Sequence, residues 1–147
     1  MKNIFLTLSL LLFIFPQIVS AYEWVYISDM QGRKHYLDSD SIKEESGFRW
    51  AYYKSEYTKE QTGNDFLSKK TYSFNSAVSY MAINCIEKTL TPLSTNYLDS
   101  TDKVVHKIRY SNEKKVIEGD KTWVLDDNPE TFRPIVINYI CNIKIQN

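Results

Sequence analysis

The sequence predicts an α+β domain, a succession of β-strands closed by one C-terminal α-helix. Three observations carry that reading. Runs rich in aromatic and β-branched residues, which suit a half-buried pleated surface, recur between turn-forming clusters. One stretch near the end, Phe132 to Ile140, places apolar residues at helical spacing. Cys85 and Cys141 are the only cysteines, an even count that reads as a disulfide in an exported chain.

Export is read from the first 21 residues. Met1-Lys2-Asn3 supplies a short positive end. Ile4 to Phe15 is apolar apart from Thr7 and Ser9, Pro16 breaks the run, and Val19-Ser20-Ala21 offers small residues to a signal peptidase. Residues 1–21 are therefore expected to be a cleavable signal peptide, with the mature chain starting at Tyr22. Spanning a bilayer takes about 20 apolar residues, and this run is shorter. No cysteine near the cut offers a site for a lipid anchor, so the expected location is the periplasm or the medium.

Residues 22–147 then form one domain. The chain carries 18 basic and 18 acidic residues, a balance that argues against a nucleic-acid binder. Four Gly, four Pro and 14 % aromatics favour a folded core over disorder. With two cysteines, one intramolecular pairing exists. Its long loop makes the bridge worth about 4 kcal/mol in the chain-entropy picture.

The elements follow in order. Glu23 to Ser28 is a strand, Asp29 to Lys34 a turn around Gly32, and His35-Tyr36-Leu37 a second short strand. Asp38-Ser39-Asp40-Ser41 is a cluster whose side chains bond their own backbone in turns. Phe48 to Tyr57 is the clearest strand. Trp50, Tyr52 and Lys54 point one way, and Arg49, Ala51, Tyr53 and Ser55 the other. Thr58 to Lys70, polar and centred on Gly63-Asn64-Asp65, is expected to be an exposed hairpin loop. Lys70 to Lys88 supports two patterns. Ala77, Val78, Met81, Ala82 and Ile86 can be placed at helical spacing, but Ser76-Val78-Tyr80-Ala82 alternates, and a long strand is the preferred reading. Thr89 to Tyr97 and Val104 to Tyr110 are strands joined by a turn at Asp99 to Asp102. Ser111 to Asp120, charged and containing Gly119, is a second loop.

Asn128-Pro129-Glu130 marks a helix start: a capping side chain, a proline suited to the first turn, and an acid at the positive end of the dipole. Phe132, Ile135, Val136, Tyr139 and Ile140 then fall at i, i+3, i+4, i+7 and i+8. Pro134 lies too deep for that first turn and should bend or restart the helix. Cys141 lies about 180° from Phe132 at 100° per residue. The helix must then be apolar nearly all round or distort before Cys141.

No catalytic constellation emerges. His35 and His106, the only histidines, lie in strand-like runs outside any nucleophile motif and without metal-ligand spacing to the cysteines. Asp38, Asp40 and Glu44-Glu45 lack the order of a calcium loop, and no glycine-rich phosphate loop is present. A non-enzymatic protein without a cofactor is expected. The aromatic set Trp24, Trp50, Tyr52, Tyr53 and Tyr57 reads as sheet packing or as an exposed patch for protein or flat-ligand contact. Trp50, Tyr52 and Tyr53, with Lys69 and Lys70, are the candidate binding residues.

His35-Tyr36-Leu37-Asp38-Ser39-Asp40-Ser41-Ile42, Trp50-Ala51-Tyr52-Tyr53, Ala82-Ile83-Asn84-Cys85, Thr95-Asn96-Tyr97-Leu98-Asp99 and Tyr139-Ile140-Cys141 occur in this order. The ordered set resembles the surface-adhesin protein E family of Gram-negative bacteria. The resemblance implies an antiparallel sheet of about six strands, with a C-terminal helix tethered to it by the Cys85–Cys141 disulfide and a strand at Lys70–Lys88. It further implies dimerisation, binding of host vitronectin, laminin and plasminogen, and a link to haemin. In place of the family's basic segment before its first cysteine, this chain has Thr71 to Val78, with Lys69-Lys70 the positive charge nearby. A small-molecule or haemin binder is the alternative, and it requires a concave apolar pocket.

Overall fold

A computed structural model describes residues 22–65, 67–119 and 132–145. Seven antiparallel strands form one sheet: β1 Trp24–Met30, β2 Arg33–Asp38, β3 Lys43–Glu45, β4 Phe48–Asn64, β5 Thr71–Asn84, β6 Thr89–Leu98 and β7 Val104–Arg109. Helix α1 spans Glu113–Ile117 and helix α2 spans Arg133–Asn142. The strand order is β1-β2-β4-β5-β6-β7, with β3 also paired to β4. The expected antiparallel sheet with a disulfide-tethered C-terminal helix is thus present. The signal peptide at 1–21 and the helix start at Asn128-Pro129-Glu130 lie outside the described residues.

β2 and β3 share one edge of β4. The first pairs with Tyr53 to Tyr57 and the second with Phe48 to Trp50. A single turn of 3-10 helix, Ser39–Ser41, bridges the gap between them. There the Ser41 hydroxyl donates to the Asp38 carbonyl at 2.8 Å and accepts from the Tyr52 N–H at 3.0 Å. The Asp-Ser-Asp-Ser cluster therefore satisfies a β4 backbone donor that neither strand reaches.

Two sequence expectations change, and one short strand forms where the sequence reading named no element. Thr58 to Lys70 is not all loop: β4 continues to Asn64, and β5 starts at Thr71. An irregularity between Glu56 and Gln61 absorbs the polar Tyr57 to Glu60, after which Gln61–Asn64 pairs with Thr71–Phe74. Gly63 is a cross-strand contact and not a turn residue. It lies opposite Tyr72, and a Cβ there would come within 2.4 Å of the Tyr72 ring. Lys43-Glu44-Glu45 is a short strand despite its charges, because the Ser46-Gly47 turn, with φ of 54° and 81°, folds it back on β4. Within Ser111 to Asp120, the expected loop, Glu113–Ile117 is helical. The Asn112 side chain caps it by accepting from the Lys115 N–H at 3.0 Å.

The C-terminal helix is as expected in place, but its buried stripe is rotated. Arg133, Val136, Ile137 and Ile140 are buried, and Phe132 precedes the helix at its N-cap. Cys141 lies four residues beyond Ile137 and so falls beside that stripe, which removes the 180° conflict. Pro134 occupies the first turn of the described helix, where its missing N–H costs nothing.

α2 packs on one sheet face through Leu37, Ala51, Tyr53, Met81, Ile83 and Leu90. The opposite face holds a smaller core of Trp50, Ala82, Leu93 and Val116, the last brought by α1. Leu93 reaches that face because the β5–β6 register shifts between Tyr80 and Met81, leaving it as an extra residue between Pro92 and Ser94.

Two features fasten the end of α2. One is the Cys85–Cys141 disulfide, with 5.5 Å between Cα atoms. The other is Arg49 of β4. Its Nη1 donates to the Ile140 carbonyl at 2.5 Å and the Ile143 carbonyl at 2.9 Å, and its Nε donates to Glu44 at 3.0 Å. A cation on the last carbonyls of a helix also complements the dipole. Replacing Arg49 by Gln is expected to cost about 1.5–3 kcal/mol, the scale of hydrogen bonds to a charged group. Arg49→Lys should recover less than half, since an ammonium lacks the planar fork. Urea midpoints of the three proteins check this, and equal midpoints for Arg49→Lys and the parent would refute the bidentate role.

Candidate functional site

The two faces of the sheet offer different chemistry. The face away from α2 carries a ridge of aromatic rings. Alternation along β1, β2 and β4 brings Trp24, Tyr26, Tyr36, Tyr52 and Lys54 to it. Tyr22 stacks on Trp24 at 5.2 Å and meets Tyr52 at 5.4 Å, and Tyr52 meets Tyr80 at 4.7 Å. Tyr26 and Tyr36 form an edge-to-face pair at 5.8 Å. Lys54 lies 5.9 Å from the centre of the Trp24 ring and pairs with Glu56 at 2.7 Å. Tyr22 and Tyr26 keep 50 % and 53 % of their surface in solvent, so the ridge is open at the β1 side. At its other side it runs into the α1 core. There the Tyr80 hydroxyl donates to Glu113 at 2.6 Å, and Lys43 approaches the same carboxylate at 3.3 Å. Burial and then the Glu113 contact push the Tyr80 phenol up, and the Tyr80 bond holds Glu113 below the usual carboxylate range.

On the α2 face, helix and sheet part company over β4, β5 and β6. A cavity of about 360 Å³ opens there. Its floor is made of small side chains on adjacent strands, Ser55, Ala77, Ser79 and Thr95, with the Ser79 and Thr95 hydroxyls bonded at 2.8 Å. Its walls are Tyr53, Tyr57, Met81, Leu90, Tyr97 and Phe132. Arg33 stands at the margin, its guanidinium 5.2 Å from the centre of the Tyr57 ring.

His35 supports the Tyr53 wall from behind. It is 2 % exposed, and it stacks with Phe132 at 5.5 Å while Phe132 stacks on Tyr53 at 4.9 Å. Burial lowers the His35 pKa, an effect partly offset by a hydrogen bond to the Met30 backbone, and burial pushes the Tyr53 phenol up. The Tyr53 hydroxyl and the His35 Nδ1 are hydrogen-bonded, which fixes the wall.

The candidate residues named from sequence do not form one site. Trp50 is fully buried in the aromatic-face core, its indole N–H donating to the Glu45 carbonyl at 3.3 Å. Tyr52 is half-buried on the same face, within the ridge. Tyr53 is on the other face, in the cavity wall. Lys69 and Lys70 are exposed in the β4–β5 turn, about 40 Å along β5 from the level of Trp50 at about 3.3 Å per residue. Sequence reasoning did not single out Arg33, Ser55, Ala77, Ser79 or Thr95. The available signal was the run of small residues at alternate positions, Ala77 and Ser79, facing Ser55 and Thr95 once the register is known.

Among the described residues no group of His, Cys, Asp and Glu could hold a metal ion, and no helix is long and apolar enough to cross a membrane. No curated protein matches the chain. The sequence model of the family described as Surface-adhesin protein E matches residues 24–142, from the first residue of β1 to the last of α2. The seven-stranded sheet, the helix tethered at Cys85 and that match agree, and the chain belongs to the surface-adhesin protein E family.

Proposed function

We propose that this domain is an exported adhesin that works by protein–protein contact through the aromatic face of its sheet. Family membership points to a surface or secreted protein with a non-enzymatic role. The observation that carries the contact reading is the open end of the ridge. Tyr22 and Tyr26 are half in solvent yet held by neighbouring rings, so docking on them costs little side-chain entropy. Rigid aromatic anchors of this kind dominate interface energetics. In this reading residues 1–21 are removed, the mature domain starts at Tyr22, and its partners are host matrix or plasma proteins, with vitronectin, laminin and plasminogen the first to test. A homodimer on the same face is the other protein contact to examine.

The test is saturable binding of the mature domain to each immobilised host protein, repeated with Tyr22→Ala/Tyr26→Ala. The expected result is saturation for at least one partner and a tenfold or greater weakening in the double variant. Absence of saturation for all three removes the host-adhesin version, and unaltered binding by the variant moves the contact off this face.

A second reading, small-molecule binding, has one observation in its favour: the apolar cavity on the α2 face lies in the size range of ligand pockets. A haemin titration with no Soret shift would exclude its haemin form.

A further inference from the structure

The cavity has a polarity that narrows its ligand. Most of its lining is aromatic and aliphatic. The polar atoms on the floor divide into two kinds. The Ser79 and Thr95 hydroxyls satisfy each other. Ser55 is 5 % exposed and lines the cavity, so its hydroxyl adds a further polar group at the floor.

The charge lies at the margin. Arg33 is half-buried, and among the described residues no carboxylate lies within 4.0 Å of its guanidinium. Its place is held by the Tyr57 ring, and its field reaches His35 and Tyr53, whose pKa values it pulls downward against or alongside the effect of burial. Among the described residues no acidic side chain lines the cavity. A guanidinium beside an apolar chamber, without a carboxylate of its own, matches a planar anion that it can bind with two parallel N–H donors. A volume of about 360 Å³ equals about a dozen groups of water size at about 30 Å³ each.

We propose that the cavity binds a small amphipathic monocarboxylate with an apolar body of about a dozen non-hydrogen atoms, the body lying against Tyr53, Tyr57, Met81 and Phe132 and the carboxylate meeting Arg33. The inference rests on the small-molecule reading and names its ligand class. It is compatible with contact on the aromatic face, because the two sites lie on opposite sides of the sheet.

Decanoate is the probe and decanol its uncharged counterpart. Both are titrated into the mature protein by calorimetry and by backbone amide shifts, alongside Arg33→Gln and the floor-filling variant Ala77→Leu. Decanoate should bind at one site, with shifts centred on β4, β5 and β6. Decanol and Arg33→Gln should each weaken binding tenfold or more, and Ala77→Leu should abolish it. A thermal melt of each variant shows that it is folded, and Arg33→Gln, at a half-exposed position, keeps the test valid should Ala77→Leu not fold. Equal affinity for decanol and decanoate would overturn the carboxylate class while leaving a small-molecule site. No saturable shift with either probe would overturn the site itself.

Discussion

Reduction of the Cys85–Cys141 bond is expected to lower stability by about 4 kcal/mol and to release α2 to proteolysis while the sheet remains folded. The first part follows from the 56-residue separation, which sets the loop-closure entropy removed from the unfolded chain. The second follows from how unequally the two parts are held. α2 is ten residues long, too short to persist without tertiary contacts. Its attachments are the bridge, the Arg49 bonds to its last carbonyls, and the burial of Val136, Ile137 and Ile140. Full burial of such a side chain contributes about 1.5–3 kcal/mol before the entropy of ordering the helix is subtracted. The sheet depends on none of these alone, since β4, β5 and β6 pair along most of their length. Chymotrypsin supplies the readout. In the reduced protein and in Cys85→Ala/Cys141→Ala, cleavage after Tyr139 should precede any cut within β4 to β6, and the oxidised protein should resist both. Loss of helix and sheet protection at the same rate would show that the two form one cooperative unit. Loss of α2 also withdraws Phe132 from Tyr53 and His35, so decanoate binding should fall on reduction as well.

The strands were legible wherever side-chain chemistry alone decides them. Trp24 to Ile27 and Trp50 to Tyr53 each declare a pleated surface locally, and each is a strand; Ser76-Val78-Tyr80-Ala82 alternates too but shares its stretch with helical spacing, and the preferred strand reading matches β5. What escaped is decided by a partner. Gly63 reads as a turn until Tyr72 is known to lie over it, and Lys43-Glu44-Glu45 carries no strand signal of its own until β4 is known to offer an edge. α1 escaped for a different reason. Its signal, Asn112 with the charged Glu113-Lys114-Lys115, is local, but five residues cannot hold a helix without a docking contact such as that of Val116 on Trp50. The helix stripe was displaced by one position because Phe132 is apolar yet sits before the first turn. The candidate site shows the same division. Period-two alternation separated Trp50 and Tyr52 from Tyr53 correctly, but nothing in β4 itself says which face a helix covers. The cavity floor joins residues of three strands, and its existence depends on registers that the order of residues does not state.

Truncation of Trp50 is expected to have the other largest effect, and it separates packing from recognition on the aromatic face. The indole is fully buried against Ala82, Leu93, Val116, Phe48 and Tyr80, and its N–H is bonded to the Glu45 carbonyl at 3.3 Å. Lys43 covers its far side, with Nζ 5.7 Å from the ring centre. Trp50→Ala should therefore cost about 3–5 kcal/mol, the range for removing a large buried aromatic side chain. Leu93 and Val116 cannot collapse into the void without drawing β6 and α1 with them, which places the effect toward the upper end. Trp50→Phe retains most of the apolar volume but strands the Glu45 carbonyl, and should cost roughly half as much. Urea midpoints give both values, and a change below about 1 kcal/mol for Trp50→Ala would mean that the second core contributes little. The Phe variant, the milder of the two and checked as folded by its urea midpoint, then tests recognition. Tyr22, Tyr26 and Tyr52 still present their rings in it, so a partner that docks on the exposed ridge should bind it as well as the parent protein. Weaker binding by folded Trp50→Phe would instead mean that recognition needs the indole itself, reached by a rearrangement of Lys43 and the β3–β4 turn.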